Sequence, residues 1–280
     1  LALEIRDGFL LLTSLFFRGL SEGNLGRMSA ALTTLNEAME KARRNGDLFW
    51  YPRLPNCIGW IHRELQDFES ALRFDQQGVQ VGRQHNVLEA EANSLINLGI
   101  DFAHAGEAGK TISSFHEVHE IFERDAWFRW RYNIRLQAAT ADHWLKQGDP
   151  ARGREFALRL CETASEYEAH KYIAVGHKLL AQSAIDDGNL ATAEKEYLTA
   201  LEELQAYPAP VVAWKIYSEL GRLRRQLGDD SGAREALTQA AQIIRSIAEE
   251  TTDETLRTTF VDSKAVRDVL NLREANEATA

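Results

Sequence analysis

The sequence predicts an all-α protein, a solenoid of about six helix pairs followed by carboxy-terminal capping helices. The first observation is an internal repeat. Residues Gly188–Ala200 form a turn followed by small and aromatic residues, and this pattern recurs along the chain. Its small residue recurs at steps of 40 or 42 positions, at Ala31, Ala71, Thr111, Gly153, Ala193 and Ala233. Each has a small residue twelve positions earlier, at Gly19, Gly59, Gly99, Ala141, Ala181 and Gly221. No strand-like alternation is present, and a fixed period of this length indicates stacked helical units.

Turn residues and caps separate the helices of the first half of the chain. A helix from Leu1 to about Glu22 is predicted to end at Gly23-Asn24, because Gly and Asn favour the backbone conformation that ends helices. Asp67 is a predicted N-cap, since its carboxylate can accept the unpaired amides of a first turn. The helices predicted for this half are about 1–22, 25–44, 49–65, 68–85, 88–104 and 108–124.

The second half has the clearest boundary, the Gly-Asp-Pro of residues 148–150, in which Gly ends one helix, Asp caps the next and Pro takes its first position. The helices predicted here are about 127–147, 150–167, 170–186, 190–205, 211–227 and 231–249. The period stops at residues 251–253. A short helix through Leu256 and Phe260 and a helix capped by Ser263 are predicted to cover the last exposed apolar face.

These elements predict six repeats and a terminal cap. The repeats are placed at about 1–46, 47–86, 87–125, 126–168, 169–208 and 209–250, with capping helices and a tail over 251–280. No linker-like or low-complexity segment interrupts them, so the sequence gives no reason to divide the array.

Composition excludes several classes of function. The net charge of -10 argues against a general binder of nucleic acids or membranes, because such proteins carry a basic excess. Cys57 and Cys161 lie in different repeats and encode neither a disulfide framework nor a four-ligand metal site, which fits a reducing, cytoplasmic setting. The most apolar run, Phe9–Phe17, is too short to cross a bilayer. Since the chain begins at Leu1 rather than Met, we expect it to be a piece of a longer protein.

The pattern of small and large positions resembles the tetratricopeptide repeat (TPR). Leu98-Gly99 with Phe115 match its first-helix and second-helix motifs in the third repeat, and Leu220-Gly221 with Leu237 match them in the last. The resemblance implies a right-handed superhelix of paired helices. Asp75 and Ala157 depart from the pattern, because a large apolar residue is usual at their position, and the period of 40 exceeds the family's 34.

The stretch from Tyr172 to Leu270 also resembles the carboxy-terminal repeat regions of large bacterial signalling ATPases, including relatives of the maltose-regulon activator. The residues that carry this resemblance are Leu180-Ala181, Gly188-Asn189-Leu190, Ala213-Trp214, Leu220–Leu223, Gly228-Asp229, Leu256-Arg257 and Phe260-Val261. It implies a sensing or partner-binding arm attached to an effector such as a cyclase or protein-kinase domain.

Two short motifs suggest chemistry but have simpler explanations. Gly109-Lys110-Thr111 resembles the end of a phosphate loop, yet the glycine that the motif needs five positions earlier is His104 and no strand precedes it. His116 and His119 lie three apart on one helical face and could share a metal, but a solvated polar face is the favoured interpretation.

The aromatic and arginine run of residues 127–132 is assigned mainly to packing of Trp127 and Trp130, with an oligomer contact as the alternative. Spacing ties no Ser, Cys or carboxylate to a His as a catalytic set. We therefore expect no enzyme, no metal and no cofactor.

In the tetratricopeptide family the first helix of each repeat lines a concave groove through its second, fifth, ninth and twelfth positions. Mapped onto this chain, the groove has seven basic and one acidic residue among 24, although the whole chain has 32 basic and 42 acidic residues. The candidate binding residues are Arg53, Asn56, Trp60, Arg63, Asn93, Asn97, Arg135, Lys178, Gln182, Lys215, Arg222 and Arg225. Only Asn97 and Arg135 match the clamp of chaperone-binding members, so a chaperone tail is not the expected ligand.

Two hypotheses follow for the function. The first is a non-enzymatic protein-interaction module, the sensory or regulatory part of a bacterial signalling or transcription-regulatory protein, which binds an acidic protein segment in a basic groove. The alternative is a sensor whose superhelix responds to a small anionic ligand or a peptide. We expect no direct contact with nucleic acid or membrane. Whether the groove cations bind a partner or pair with neighbouring carboxylates stays open at this point.

Overall fold

The computed structural model describes residues 8–124 and 129–278. Within these ranges the chain forms α-helices and one 3₁₀ segment, with no β-strand. The helices of the first part are α1 (Gly8–Asn24), α2 (Met28–Asn45), α3 (Leu54–Glu64, after the 3₁₀ segment Tyr51–Arg53), α4 (Phe68–Gln84), α5 (Leu88–His104) and α6 (Ala108–Arg124). Those of the second part are α7 (Arg129–Lys146), α8 (Pro150–Glu166), α9 (His170–Asp186), α10 (Leu190–Ala206), α11 (Pro210–Gln226), α12 (Asp230–Glu250), α13 (Glu254–Asp262) and α14 (Lys264–Ala278). In this described part, every helix is too short or too polar to cross a membrane.

The described residues fall into two compact units. Unit 1 consists of the residues up to Tyr132 together with Glu250–Phe260, and unit 2 consists of Asn133–Glu249 with the residues from Val261 onward. In unit 1, Phe260 is fully buried, and the amide of Thr252 donates a hydrogen bond of 2.8 Å to the hydroxyl of Ser29. The core of unit 2 includes the buried side chains of Ile134, Ala141, Ala157, Leu160, Ala164, Ile173 and Leu179.

The backbone of the turns confirms the repeat. A glycine with φ between 75° and 81° closes the turn within the pair at Gly148, Gly188 and Gly228, each 40 residues from the next, and Gly26 and Gly106 have φ of 80° and 76°. Glycine reaches this left-handed region without the steric cost of a side chain. The equivalent residue of the second pair is Gln66, which adopts φ of 63°.

The predicted helix caps are also confirmed. The carboxylate of Asp67 accepts the amide of Ser70 at 3.1 Å, and that of Asp149 accepts the amide of Arg152 at 3.0 Å. The hydroxyl of Ser263 accepts the amide of Val266 at 3.3 Å. Each bond satisfies one of the amides that a helix leaves unpaired in its first turn.

Small residues allow the two helices of a pair to approach closely. A Cβ atom at Gly19 would lie 2.6 Å from the side chain of Leu35, and one at Gly221 would lie 2.7 Å from that of Leu237. The same position in the second pair is Gly59, which faces the carboxylate of Asp75. A large side chain on the second helix thus fills the space that the glycine leaves.

Two predicted boundaries are wrong. The first helix does not break at Gly23 but continues to Asn24, because Gly23 is buried against the side chains of Trp60 and Ile61, and the left-handed residue of the turn is Gly26. The third helix begins as a 3₁₀ turn around Pro52, since proline has no amide to donate to a preceding carbonyl. Residues 1–7 of the predicted first helix lie outside the described part.

Candidate functional site

In unit 1 the predicted groove residue Arg63 is buried between two aspartates. Its Nη2 atom lies 2.5 Å from Oδ2 of Asp75, and its Nε donates to Oδ1 of Asp101 at 2.7 Å. The side chains of Arg63, Asp75 and Asp101 are 11%, 0% and 3% exposed. Because α3, α4 and α5 each supply one of these charges, the cluster connects two successive helix pairs.

The charges of this cluster do not balance, since it has two carboxylates and one guanidinium. Burial raises the pKa of Asp75 well above its usual value, and Arg63 offsets this only in part, while the neighbouring Asp101 raises it further. Burial alone would lower the pKa of Arg63, but Asp75 and Asp101 outweigh it, so the pKa of Arg63 is raised. The pKa of Arg63 and the pKa of Asp75 are therefore both raised within one buried cluster.

The two buried asparagines of the candidate set also bond within unit 1. The amide of Asn97 donates to Oδ1 of Asp75 and to the carbonyl of Asn56, both at 2.9 Å, and Asn97 is 1% exposed. The side chain of Asn56 is 6% exposed and donates to the carbonyl of Arg53 at 3.2 Å. These groups fix the contact between α3 and α5.

Arg53 connects two turns between repeats. Its guanidinium pairs with Glu89, donates to the carbonyl of Phe49 and lies 4.0 Å from the centre of the Phe49 ring. The side chains of Arg53 and Glu89 are 12% and 11% exposed. Together with Leu48, Phe49, Asn86, Val87 and Leu88 they line an open cleft of about 420 Å³.

The other two candidates of unit 1 are half-buried. The indole of Trp60 donates to Glu64 at 3.1 Å and packs over Gly23. Asn93 lies on α5 and is partly exposed.

In unit 2 the candidate residues of α9 meet the carboxylate of Glu219 on α11. The ammonium of Lys178 lies 3.3 Å from Oε1 of Glu219, and the amide of Gln182 donates to the same oxygen at 3.2 Å. The buried hydroxyl of Tyr197 donates to Oε2 at 2.9 Å. Burial alone would lower the pKa of Lys178, but Glu219 and Asp142 outweigh it, so its pKa is raised and the ammonium stays charged.

The remaining candidate cations of unit 2 lie on α7 and α11. Arg222 is exposed on α11, and Arg135, Lys215 and Arg225 are partly exposed. The ammonium of Lys215 lies 5.7 Å from the centre of the Trp214 ring, and Arg225 donates to the carbonyl of Leu272 at 3.1 Å. On α11, positions 215, 222 and 225 follow helical spacing and share one face.

Some cations of the predicted basic groove are therefore paired with carboxylates of the protein itself. Arg53, Arg63 and Lys178 form ion pairs with carboxylates of neighbouring helices or turns. The acceptors Glu89, Asp101 and Glu219 are not among the residues predicted from the sequence. They lie 36, 38 and 41 positions after their cations, so a search near the repeat distance of 40 would find them.

The residues of the other two short motifs contact neighbouring side chains. His116 lies 3.6 Å from Glu120, and His119 makes an edge contact with the ring of Phe122. Across the described ranges, no group of three or more His, Cys, Asp or Glu residues could hold a metal ion. Lys110 pairs with Glu107, as expected for an ordinary helix start.

The aromatic run is only partly described, because Trp127 and Phe128 lie outside the described residues. Trp130 is 37% exposed, whereas Tyr132 is 4% exposed and stacks near Phe122 with ring centres 6.4 Å apart. The packing proposed for Trp127 therefore stays a prediction.

Comparison with known proteins gives similarity at the level of fold. No protein-family model and no curated protein sequence matches the chain. Among solved structures, it is similar to a Rap protein complexed with Competence and Sporulation Factor, with a TM-score of 0.65, 11% identity, and 98% of this chain and 78% of that one covered. It is similar to NprR in complex with its cognate peptide NprX, with a TM-score of 0.62, 14% identity, and 90% and 70% covered. It is also similar to the Cut9-Hcn1 assembly of the APC/C, with a TM-score of 0.51, 13% identity, and 92% and 55% covered.

Each of these structures is at most 14% identical to this chain, so the likeness is one of fold. The fold is the all-α tetratricopeptide-type solenoid that the repeat predicts.

Proposed function

We propose that this tetratricopeptide-type chain is a non-enzymatic protein-interaction module, which binds an acidic peptide or protein segment on the first helices α9 and α11 of unit 2. The observation that carries the proposal is the exposed guanidinium of Arg222, which lies one turn along α11 from Glu219. Glu219 itself is held by Lys178 and Gln182, and the carboxylate of Asp268 on α14 interacts electrostatically with Arg222. The surface of α9 and α11 therefore carries the cations Lys215 and Arg222 next to the hydrogen-bonded group of Lys178, Gln182 and Glu219.

The chemistry of these donors favours a carboxylate-bearing partner. A guanidinium binds a carboxylate through two parallel hydrogen bonds, which are stronger than bonds between neutral groups. Lys215 lies seven positions before Arg222, about two turns along the same face, so the two cations suit carboxylates spaced along an extended segment. In unit 1, Arg53 and Arg63 form largely buried ion pairs within the protein.

The structural comparisons support a peptide or protein partner by analogy of fold. Two of the similar structures are complexes, one with Competence and Sporulation Factor and one with the peptide NprX. A shared fold is consistent with a shared mode of binding but does not by itself assign one. The resemblance of residues 172–270 to the repeat regions of signalling ATPases supports a sensory or regulatory role in a bacterial signalling or transcription-regulatory protein.

The test uses a peptide array of short sequences rich in Asp and Glu, each paired with a version in which Asn and Gln replace the acids. We expect the wild-type chain to bind acidic members and to lose at least tenfold in affinity when Lys215→Glu and Arg222→Glu are combined. The matched control is Arg245→Glu, a charge reversal at an exposed position of α12. Equal binding to the acidic and neutral versions, or equal loss with Arg245→Glu, would exclude this surface.

A small anionic effector is the second ligand class for the same face. A thermal-shift series with citrate, phosphate and short dicarboxylates separates it from a protein segment, because a ligand that binds only the folded state raises Tm saturably. A shift that disappears in the Lys215→Glu, Arg222→Glu variant would assign the face to a small anion. If Tm is unchanged across the series while the array is positive, the peptide assignment stands.

A further inference from the structure

An irregular connection between α2 and α3 helps to form a cleft on unit 1. This connection covers residues 46–53, whereas the equivalent connections before α5, α9 and α11 cover only residues 85–87, 167–169 and 207–209. Residues of the long connection and of the turn and first residues of α5 line the open cleft of about 420 Å³. This volume is within the range of small-molecule sites, roughly 300–1,000 Å³.

A proline sets the backbone geometry beside the cleft. Pro52 has no amide to donate, and around it the chain forms a 3₁₀ turn in which the amide of Arg53 donates to the carbonyl of Trp50 at 3.0 Å. In an α-helix that amide would donate to the carbonyl of Phe49. Here the Phe49 carbonyl accepts Nη1 of Arg53 instead, while Nε of Arg53 donates to Oε1 of Glu89. The guanidinium is thus held through two of its three nitrogens.

Each member of this ion pair has one polar atom that can bind a further group. Among the described residues, no group forms a hydrogen bond with Nη2 of Arg53 or with Oε2 of Glu89. Both side chains line the cleft, and they are only 12% and 11% exposed. Hydrogen bonds of charged groups are stronger in such a sheltered position than in water. The cleft therefore offers one cationic donor and one anionic acceptor next to each other.

The ion pair of Arg53 and Glu89 is specific to this junction of repeats. A pair that the solenoid needed for its stacking would recur at the aligned positions of the later junctions. Those positions combine no opposite charges, since they are Asn93 with Arg131, Arg135 with Lys171, and Val175 with Val211. The repeat architecture therefore does not account for the pair.

Apolar side chains form most of the remaining lining. Leu48 and Phe49 of the long connection are 53% and 40% exposed, and Val87 and Leu88 belong to the other side of the cleft. An apolar group that packs against them leaves water, which favours binding. A ligand that matches the whole lining carries a positive group, a negative group close to it, and an apolar side chain.

We propose that this cleft binds a free α-amino acid with an apolar side chain, such as leucine or phenylalanine. The ligand carboxylate accepts a hydrogen bond from Nη2 of Arg53, and the ligand ammonium donates one to Oε2 of Glu89. A ligand with a carboxylate alone would place a second anion beside Glu89, and a ligand with an amine alone would place a second cation beside Arg53. The cleft lies within unit 1, so this assignment does not depend on the peptide surface proposed for unit 2.

A thermal-shift titration of the whole chain tests the ligand class. In a series up to about 10 mM, L-leucine and L-phenylalanine should raise Tm saturably, because a ligand that binds only the folded state stabilises it. N-acetyl-L-leucine lacks the ammonium and L-leucinamide lacks the carboxylate, so each should bind at least about tenfold more weakly. An unchanged Tm with both amino acids, or equal binding of N-acetyl-L-leucine and L-leucine, would overturn the proposal.

Variants of the lining test the location by isothermal titration calorimetry. Glu89→Gln keeps the shape of the acceptor without its charge and should weaken L-leucine binding at least about tenfold. The matched control is Glu91→Gln on the same helix, whose carboxylate is 13% exposed and pairs with Arg83 outside the cleft lining, and it should leave the affinity unchanged. Leu48→Ser removes an apolar contact at an exposed position and should weaken binding severalfold, so it tests the site even if Glu89→Gln destabilises the fold. Wild-type affinity in both lining variants, or an equal loss with Glu91→Gln, would exclude this cleft.

Discussion

Arg63 and Asp75, on the paired helices α3 and α4, form a buried ion pair whose nitrogen and oxygen atoms lie 2.5 Å apart. Asp75 occupies a position where the repeat normally has a large apolar side chain, for example Leu35 or Leu237. Arg63 also bonds Asp101 of the next pair, so one guanidinium serves two carboxylates. A polar cluster thus replaces an apolar contact at the junction of two repeats.

Removing the cation of this cluster should strongly destabilise the protein. Arg63→Met leaves Asp75 and Asp101 buried without their cation, and the loss of one partner of a buried ion pair costs about 3–5 kcal/mol. Urea denaturation followed by circular dichroism measures the free energy of unfolding. Arg245→Met, at an exposed position, should change it by less than about 0.5 kcal/mol. A loss for Arg63→Met as small as that of the control would show that the cluster contributes little.

The raised pKa of Asp75 predicts a specific pH dependence. A carboxyl group whose folded pKa lies above its unfolded value stabilises the fold fully below the unfolded pKa and loses this contribution as pH rises through the folded pKa. The groups that face it are Arg63 from α3 and Asp101 and Asn97 from α5. Asp75→Asn cannot ionise, so its stability relative to the wild type should increase as pH rises from 4 toward 8.

The control for this experiment is Asp268→Asn. The hydrogen bond with Lys264 lowers the pKa of Asp268, so its contribution is present above the unfolded pKa and is lost on acidification, the opposite direction. Unfolding free energies of the three proteins across the pH series provide the comparison. Parallel curves for the wild type and Asp75→Asn would mean that Asp75 is ionised in the folded protein over the whole range.

The sequence predicts the helices of this protein better than its charge contacts, and the reason is physical. A turn glycine such as Gly188 and a cap such as Asp149 act on their own neighbours, so the local sequence is sufficient to place them. The partner of Arg63 depends on which helices touch, and Asp101 lies 38 positions away in another repeat. Gly23 shows the same limit, because a helix-breaking residue stays helical when a neighbouring helix packs onto it.

Close packing within the second pair predicts the effect of adding one methyl group. In Gly59→Ala the new Cβ would lie 2.8 Å from both carboxylate oxygens of Asp75, so the Arg63 contact must shift and stability should fall by about 1–3 kcal/mol. The matched control is Gly109→Ala in α6, where no atom lies within 4 Å of the new Cβ. There alanine's helix propensity should stabilise the protein by up to about 1 kcal/mol. Opposite shifts in Tm for the two variants would confirm the prediction, whereas equal shifts would contradict it.

The hydrogen bond from Tyr197 to Glu219 is expected to stabilise the polar contacts between α9, α10 and α11 in unit 2. Tyr197 is 1% exposed, and its hydroxyl donates to Glu219 at 2.9 Å, the carboxylate that also binds Lys178 and Gln182. Tyr197→Phe removes a hydrogen bond to a charged acceptor and should reduce the free energy of unfolding by about 1.5–3 kcal/mol. The control Tyr207→Phe alters a tyrosine that is 51% exposed and should have little effect. Because Glu219 also orders the face next to Arg222, Tyr197→Phe should weaken binding of the acidic array peptides as well. Unchanged stability with Tyr197→Phe would show that Lys178 and Gln182 alone hold Glu219 in place.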